Sequence, residues 1–588
     1  MEGLLLASGA QSIKYVDSQG IEHSFEAEGG ELLERFPKLL SRIVSFLEEG
    51  SQLVLEDGSS SVRLIHKGIH VEVVSSWNGE KQKALISISK SSSTEEQDYL
   101  KENKGTERSD EHLSSDAPVA EKTVTFIPPE SQSRPEENKD ISSSYSWMSP
   151  SICRRYQLKA PYVAGAMAGG IASVSLVRAM SEAQMLAFFG AGGLSLEEIE
   201  KAVSQLSSLS GPWGSNLLHA PHDIELEEQT VDLYLKYGVR IVSASAYMRL
   251  TPAVVRYRVS GICVDGEGNI HTPNQIFAKV SHPSVAEQFL SPPPTSIVQR
   301  LVQKGVLTEE QAVLAQKIPM AEQITVEGDS GGHTDRRPLL ALFPVIDALR
   351  EEQILKYGFS QKIFLGAAGG LGTPEGLACA LMLGADYLLV GSVHQSTVEA
   401  GTSDLVKTML AQSSVHDFSM GVSPDMFEQG AMVQVLSRGS MYAQRANRLR
   451  ELYLRYRDLN ELPQKDLSRL EKSIFAASIG DVWNETQDYW KQRNPKILLR
   501  AERDPHFKMS LIFRWYLGRS SRWARMGTED RKRDFQIWSG PAMGAFNNWV
   551  QGTSLEPLDM RNIVDVAEAL LEATALIFQN WKHRMDVI

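Results

Sequence analysis

Val326-Glu327-Gly328-Asp329-Ser330-Gly331-Gly332-His333-Thr334-Asp335 ends an apolar, strand-like run that starts at Ile324, loses its side-chain bulk at two glycines, and then presents a histidine. Paired glycines after a strand let backbone N–H groups approach a ligand closely, and such amides suit phosphate oxygens. A histidine at that point can move a proton near neutral pH. Outward along the chain the pattern half-repeats as Phe364-Leu-Gly-Ala-Ala-Gly-Gly-Leu-Gly-Thr-Pro374 and again as Tyr387-Leu-Leu-Val-Gly-Ser392. Three strand ends that open into small residues imply one phosphate-bearing cofactor shared among them. Three unrelated tight turns are the plainer alternative.

These ends close a longer series. Tyr162–Met167, Met185–Phe189, Trp213–Leu218, Val239–Ser243, Ile276–Val280, Gln323–Glu327, Lys362–Gly366 and Tyr387–Val390 have strand composition, and amphipathic helices fall between them, for example Leu196–Leu206 and Glu225–Tyr237. Eight strand–helix units predict an α/β fold of the (β/α)8 TIM-barrel type, with active groups at the C-terminal ends of the strands. A doubly wound open sheet is the competing architecture. It would place GxGxxG after its first strand, whereas Ala164-Gly-Ala-Met-Ala-Gly-Gly170 lacks that spacing.

Four regions follow. Residues 1–90 read as a small N-terminal α+β module, with helical spacing over Leu32–Leu47 and strands at Leu53–Leu55, Val62–Ile65 and His70–Val74; no chemistry is visible there. Residues 91–150 are Ser-, Glu-, Lys- and Pro-rich and predict a flexible polar linker. Residues 151–440 hold the barrel. Residues 441–588 form a C-terminal helical subdomain that carries seven of the chain's ten tryptophans. Between Lys491 and Arg533 thirteen Lys/Arg face four Asp/Glu, a balance of +9 in a chain of net charge −13. Such a stretch is either a solvated helical face or a docking surface for an acidic partner.

The overall acidity argues against nucleic-acid binding. Three cysteines without metal spacing argue against a disulfide framework or a metal site. No secretory leader or membrane span is expected, so the chain reads as a cytoplasmic protein. Cys263 and Cys379 read as packing residues, and Thr251-Pro252 as an N-cap followed by Pro at the first helical position.

His333 is the candidate proton-handling residue. Lys279, at a strand end, would point into the same mouth and balance negative charge, and Asn216 offers amide donors and acceptors. Asp329 and Asp335 flank the histidine and either orient it or hold a loop.

The spans Gly165-Ala-Met-Ala-Gly-Gly170, Phe188-Phe-Gly-Ala-Gly-Gly-Leu194, Asp329-Ser-Gly-Gly-His-Thr-Asp335 and Ala367-Ala-Gly-Gly-Leu-Gly-Thr-Pro374 resemble the FMN-dependent barrels related to nitronate monooxygenase and the FabK-type enoyl reductases. Further segments resemble the PfaD-like branch, the trans-acting enoyl reductase subunits of polyunsaturated fatty acid and polyketide synthases. They are Glu399–Asp404, Asp425–Gly430, Val433–Gly439, Phe513–Gly518, Ser520–Ala524 and Ile537–Asn547. The resemblance covers roughly residues 155–585 and leaves the N-terminal module unassigned.

It implies that NADPH or NADH reduces FMN, and that a hydride then passes to a 2-enoyl chain on an acyl carrier protein. It also implies His333 as proton donor, and backbone amides of Gly369, Gly370, Gly391 and Ser392, beside Ala368, around the FMN phosphate. Ser330, Gly331 and Gly332 would approach the flavin, with Ala166, Met167, Asn216 and Lys279 at ring and ribityl chain. A nitronate monooxygenase and a non-catalytic scaffold protein of a megasynthase are the rival readings. A homodimer is left open.

Overall fold

The computed structural model describes residues 145–219 and 224–586, and the backbone of six strands between Ser12 and Ser87. Those six, β1 (Ser12–Val16), β2 (Glu22–Glu26), β3 (Gln52–Asp57), β4 (Ser60–Lys67), β5 (His70–Trp77) and β6 (Glu80–Ser87), form one antiparallel sheet in the order β2-β1-β3-β4-β5-β6. The three strands expected from the sequence are among them. The helix expected at Leu32–Leu47, and the linker up to residue 144, lie outside the described residues.

The second unit is the barrel. Strands β7 (Tyr162–Ala164), β8 (Leu186–Phe189), β9 (Gly214–Leu218) and β10 (Ile241–Ser245) come first. A hairpin of β11 (Cys263–Val264) and β12 (Ile270–His271) intervenes before β13 (Gln275–Val280), β14 (Gln323–Glu327), the short β15 (Gly332–His333), β16 (Phe364–Ala368) and β17 (Tyr387–Val390). All but β11, β12 and β15 close into a parallel eight-stranded barrel, and each corresponds to a strand read from the sequence. Helix Leu196–Leu206, between β8 and β9, obeys the amphipathic rule. It starts at a capping box of Ser195 and Glu198 and buries Ile199, Ala202, Val203 and Leu206.

Inside the barrel Phe188, Phe277, Phe364 and Tyr387 pack with Val163, Leu186 and Leu389. Phe277 meets Phe188 and Tyr387 edge-on, at ring-centroid distances of 5.3 and 5.2 Å. Room for these rings comes from inward glycines: a Cβ on Gly214 would stand 2.7 Å from the Phe188 ring, and one on Gly366 would strike Tyr387.

The C-terminal stretch divides. Helices Tyr442–Arg455, Ile479–Arg493 and Pro505–Met526 share a core of their own around Phe427, Leu449, Phe475, Phe513 and Tyr516. Pro541–Val550 and Ile563–Asp586 instead return to the barrel, where Met543, Phe546, Val566 and Leu570 join the main core. Two sequence expectations need correction. Cys263 and Cys379 are exposed, one on the hairpin and one on the outer face of helix Pro374–Met382, while only Cys153 is buried. Arg531, counted within the basic stretch, is 9% exposed. It donates to the carbonyls of Ile474 and Phe475, pairs with Asp534 and lies over Trp523, so it is a structural clamp rather than a surface charge. Among the described residues no helix is long and apolar enough to cross a membrane, and no cluster could hold a metal ion.

Helix Pro150–Tyr156 closes the barrel floor by inserting Ile152 and Cys153 beneath the interior rings. Beside it, Glu322 accepts from Arg258 at 2.6 Å, Arg155 at 2.9 Å and Thr272 at 3.0 Å. Arg258 is fully buried and also bonds the carbonyls of Asn274 and Pro319. Burial pushes the Glu322 carboxyl up, but Arg258 and then Arg155 outweigh it and hold it below its ordinary value of 4.5. A lowered folded-state value means that the stabilisation is present above about pH 4.5 and is lost as pH falls through the lowered value. Arg258→Ala leaves this carboxylate short of its main partner, which costs about 3–5 kcal/mol for a buried pair. Denaturant unfolding should show that loss in full at neutral pH and a smaller one in acid; equal losses at both would rule out the charge as its source.

Candidate functional site

Three glycine-rich ends meet at the C-terminal mouth of the barrel. A Cβ on Gly331 would lie 3.0 Å from Ser392 Oγ, so the β14 and β17 ends touch. Gly369 has a φ of +90°, and a Cβ there would stand 2.7 Å from the carbonyl of Gly328, so the β16 end rests on the β14 end. Around these contacts Gly370 and Gly391 face open space, with nothing within 4 Å of an added Cβ. Bare backbone beside a gap, next to the Ser392 hydroxyl, is the surface a phosphate group fits. The end of β7 joins the rim, with Gly165 N donating to Val390 O at 2.8 Å.

The other expected residues divide. Ala166 packs at the top of the barrel interior, Ala368 is buried just below the rim, and Gly332 is buried on β15. The Met167 side chain turns into the layer between strands and helices, which leaves only its backbone near the mouth. Asn216 donates through Nδ2 to Ser243 O at 2.9 Å and Ser245 Oγ at 3.2 Å, which fixes its amide. Lys279 is partly exposed at the mouth, but its charge has a partner: Nζ lies 2.8 Å from Glu327 Oε1, and the Ser330 hydroxyl donates to the same oxygen at 3.1 Å. Glu327 is thus a mouth residue that sequence reasoning quoted and passed over.

His333 sits on β15, which pairs with β19 (Met432–Leu436); β19 in turn pairs antiparallel with β18 (Phe418–Val422). His333 Nε2 lies 2.8 Å from Ser423 Oγ and 3.0 Å from Asp425 Oδ1, and the Ser423 hydroxyl donates to the same carboxylate. Partial desolvation pushes the Asp425 carboxyl up, but the bond and charge of His333 and the bond from Ser423 outweigh it and leave it at about 2. Trp538 stands edge-on to the imidazole at 5.1 Å. The flanking acids do other work: Asp329 takes bonds from Thr334 and Gln434, and Asp335 one from Ser281, so both hold the loop. The partner the sequence did not reveal is Asp425, separated from His333 by 92 residues and carried in by a hairpin. Another histidine, His394, is fully buried 2.9 Å from the Tyr162 hydroxyl, and burial pushes it down to about 3, so it stays neutral.

Residues 154–424 match the family described as nitronate monooxygenase, and residues 456–535 match the inserted helical domain of acyl-carrier-protein S-malonyltransferase. The chain is 44% identical to one of the polyunsaturated fatty acid synthase subunits of Thraustochytrium sp., over 69% of this chain and 28% of that one. It is 42% identical to the polyketide biosynthesis protein PksE of Bacillus subtilis, over 79% of this chain and 61% of that one. It therefore spans less than two thirds of the length of both. A solved structure, the enoyl reductase domain of MlnA from the macrolactin biosynthesis cluster of Bacillus amyloliquefaciens, has 38% identity and a TM-score of 0.71; the match covers 74% of this chain and 98% of that domain. Fold and rim define a barrel of the nitronate monooxygenase class. Within that class the chain belongs to the PfaD-like family, on its likeness to these synthase proteins and to the MlnA domain.

Gly369 and Gly391 answer differently to substitution. Gly369→Ala puts a side chain at positive φ against a neighbouring carbonyl and should cost about 1–3 kcal/mol of stability. Gly391→Leu enters open space at ordinary φ and should leave the unfolding midpoint within error. Equal destabilisation by both would show the gap at Gly391 to be filled by protein.

Proposed function

We propose that this chain carries out the FMN-dependent, NAD(P)H-driven reduction of 2-enoyl chains held on acyl carrier protein, in polyunsaturated fatty acid or polyketide biosynthesis. The observation that carries the reading is the conjunction at one mouth of a bare-backbone rim and an imidazole backed by a carboxylate. FMN, when bound, would supply the hydride chemistry, accepting electrons from the nicotinamide and reducing the enoyl β-carbon. The chain's own residues do the rest. Backbone at Gly369, Gly370, Gly391 and Ser392 would hold the phosphate, with Ser330, Gly331 and Gly332 along the ring side. Ala166, Met167 through its backbone, Asn216 and the Lys279–Glu327 pair would border the ring and ribityl chain. His333 holds the proton that the α-carbon takes up. Trp538 walls the imidazole off on one side and limits the water that reaches it.

The match over residues 154–424 favours a second reading, oxidation of alkyl nitronates, in which His333 would act as base. Anaerobic oxidation of the reduced protein by an enoyl thioester supports the first reading; oxygen uptake with nitronates and no response to enoyl thioesters supports the second.

The purified protein should be yellow, with one FMN per barrel, and Gly391→Leu should be folded but largely colourless. His333→Ala should retain flavin while enoyl reduction falls by about 10²–10⁴-fold, the usual contribution of a positioned acid or base. Flavin reduction by NADPH should change far less. Equal loss in both half-reactions would make His333 a cofactor-holding residue instead.

The acyl carrier protein is proposed to dock on the basic helices. Lys496, Arg503 and Arg522 are exposed there and pair with no acid among the described residues, unlike the clamped Arg531. Reversing these three to Glu should raise the KM for carrier-bound chains and leave a small pantetheine thioester unaffected. Salt should mimic part of the effect in the native protein. Equal damage with both substrates would count against a docking face.

A further inference from the structure

We infer that Asp425 is the positioning residue for His333: it holds the ring at Nε2, so that proton exchange with the substrate is confined to Nδ1. The identity of the substrate rests on the enoyl-reductase reading, whereas the pair itself does not.

The geometry is asymmetric in a useful way. Both polar contacts of the ring among the described residues, Ser423 Oγ at 2.8 Å and Asp425 Oδ1 at 3.0 Å, fall on the same nitrogen. The Ser423 hydroxyl donates to the Asp425 carboxylate, so the Nε2–H that faces both oxygens is the one donor that satisfies the arrangement. A carboxylate that accepts from one ring nitrogen fixes tautomer and orientation, and leaves the other nitrogen to exchange protons. Trp538, edge-on at 5.1 Å, limits the remaining freedom of the ring.

Stability does not account for the pair. The Asp425 side chain is 57% exposed and that of His333 35%, and ion pairs so placed contribute little to folding. Yet the loop that carries Asp425 is firmly rooted. Ser423 is buried and its N–H bonds to Ala431 O at 2.8 Å, closing the hairpin. Phe427, two residues beyond Asp425, is buried in the helical core with Arg450 over its ring, and Glu428 pairs with Arg514 of helix Pro505–Met526 at 3.3 Å. The helical subdomain therefore sets the position of Asp425, and through it the imidazole of the barrel.

The test uses the whole protein with its histidines labelled with nitrogen-15, the His333 signals being assigned by their absence in His333→Gln. The native protein should show a slowly exchanging imidazole proton on Nε2 of His333. Asp425→Ala should lose that signal while its backbone amide spectrum stays native, and Ser423→Ala should weaken it. In turnover, Asp425→Ala should lower kcat for enoyl-thioester reduction about tenfold, a part of the 10²–10⁴ contributed by the acid itself, with KM within about twofold. Asp425→Asn, which can still accept from Nε2–H, should recover part of the loss. A protected proton on Nδ1 in the native protein, or an Nε2 proton that survives Asp425→Ala, overturns the inference. If the proton behaves as expected but the native protein reduces no enoyl thioester, the positioning stands and the proposed function falls.

Discussion

The absence of side chains along one arc of the barrel rim is the constraint on which this site depends. The segment Trp538–Ala542 lies directly on that arc: a Cβ on Gly331 would stand 2.6 Å from Ser539 Cα, and one on Gly372 would strike the carbonyl of Ala542. Ordinary residues at these positions would hold the C-terminal segment away from the rim, and Trp538 would no longer reach His333. Gln395, just past β17, donates to the Trp538 carbonyl and fastens the seam. The same lack of bulk that would admit a phosphate thus also admits the chain's own wall.

The mouth is consequently built by two bodies. The barrel contributes Lys279, Glu327, Ser330 and the glycine-rich turns. The segment returning from the helical part contributes Trp538, and the helical part itself contributes Asp425 through its grip on the β18–β19 hairpin. Arg525, from helix Pro505–Met526, adds a third link, donating to Gly169 O at 2.7 Å in the first glycine turn. Its guanidinium is partly buried there, and burial lowers its pKa.

The barrel itself was legible because strand length, apolar run and helical period agree over eight successive units. Boundaries slipped where one apolar residue of the lead-in, Val239 or Ile363, stands close to the strand. Val239 belongs to the turn, its N–H closing on Tyr234 O, so β10 starts at Ile241. Likewise β16 starts at Phe364, after Lys362 and Ile363. The convergence of the three glycine-rich ends was legible, because only small residues at strand ends permit such close approach. Asp425 was quoted as part of a motif, but nothing local marks a carboxylate as the partner of a histidine 92 residues away. That pairing depends on β18 and β19, whose short strands resemble loop in a chain that is otherwise turning helical. Counting charges also failed at Arg531, since a count cannot tell an arginine over Trp523 from one in water.

The helical body joins the barrel through a neck. Leu436 N bonds to Ile537 O at 2.9 Å and Met441 N to Arg533 O at 2.7 Å, while Ser440 Oγ donates to Phe535 O at 2.7 Å. The chain leaves and re-enters side by side, and the residues after the neck resume the barrel's packing. Topologically the helices are therefore a parenthesis inside the barrel rather than an appendix to it. A parenthesis with adjacent ends can be exchanged for another of different length without rethreading what encloses it. Variation in how the mouth is roofed can accordingly proceed independently of the barrel beneath.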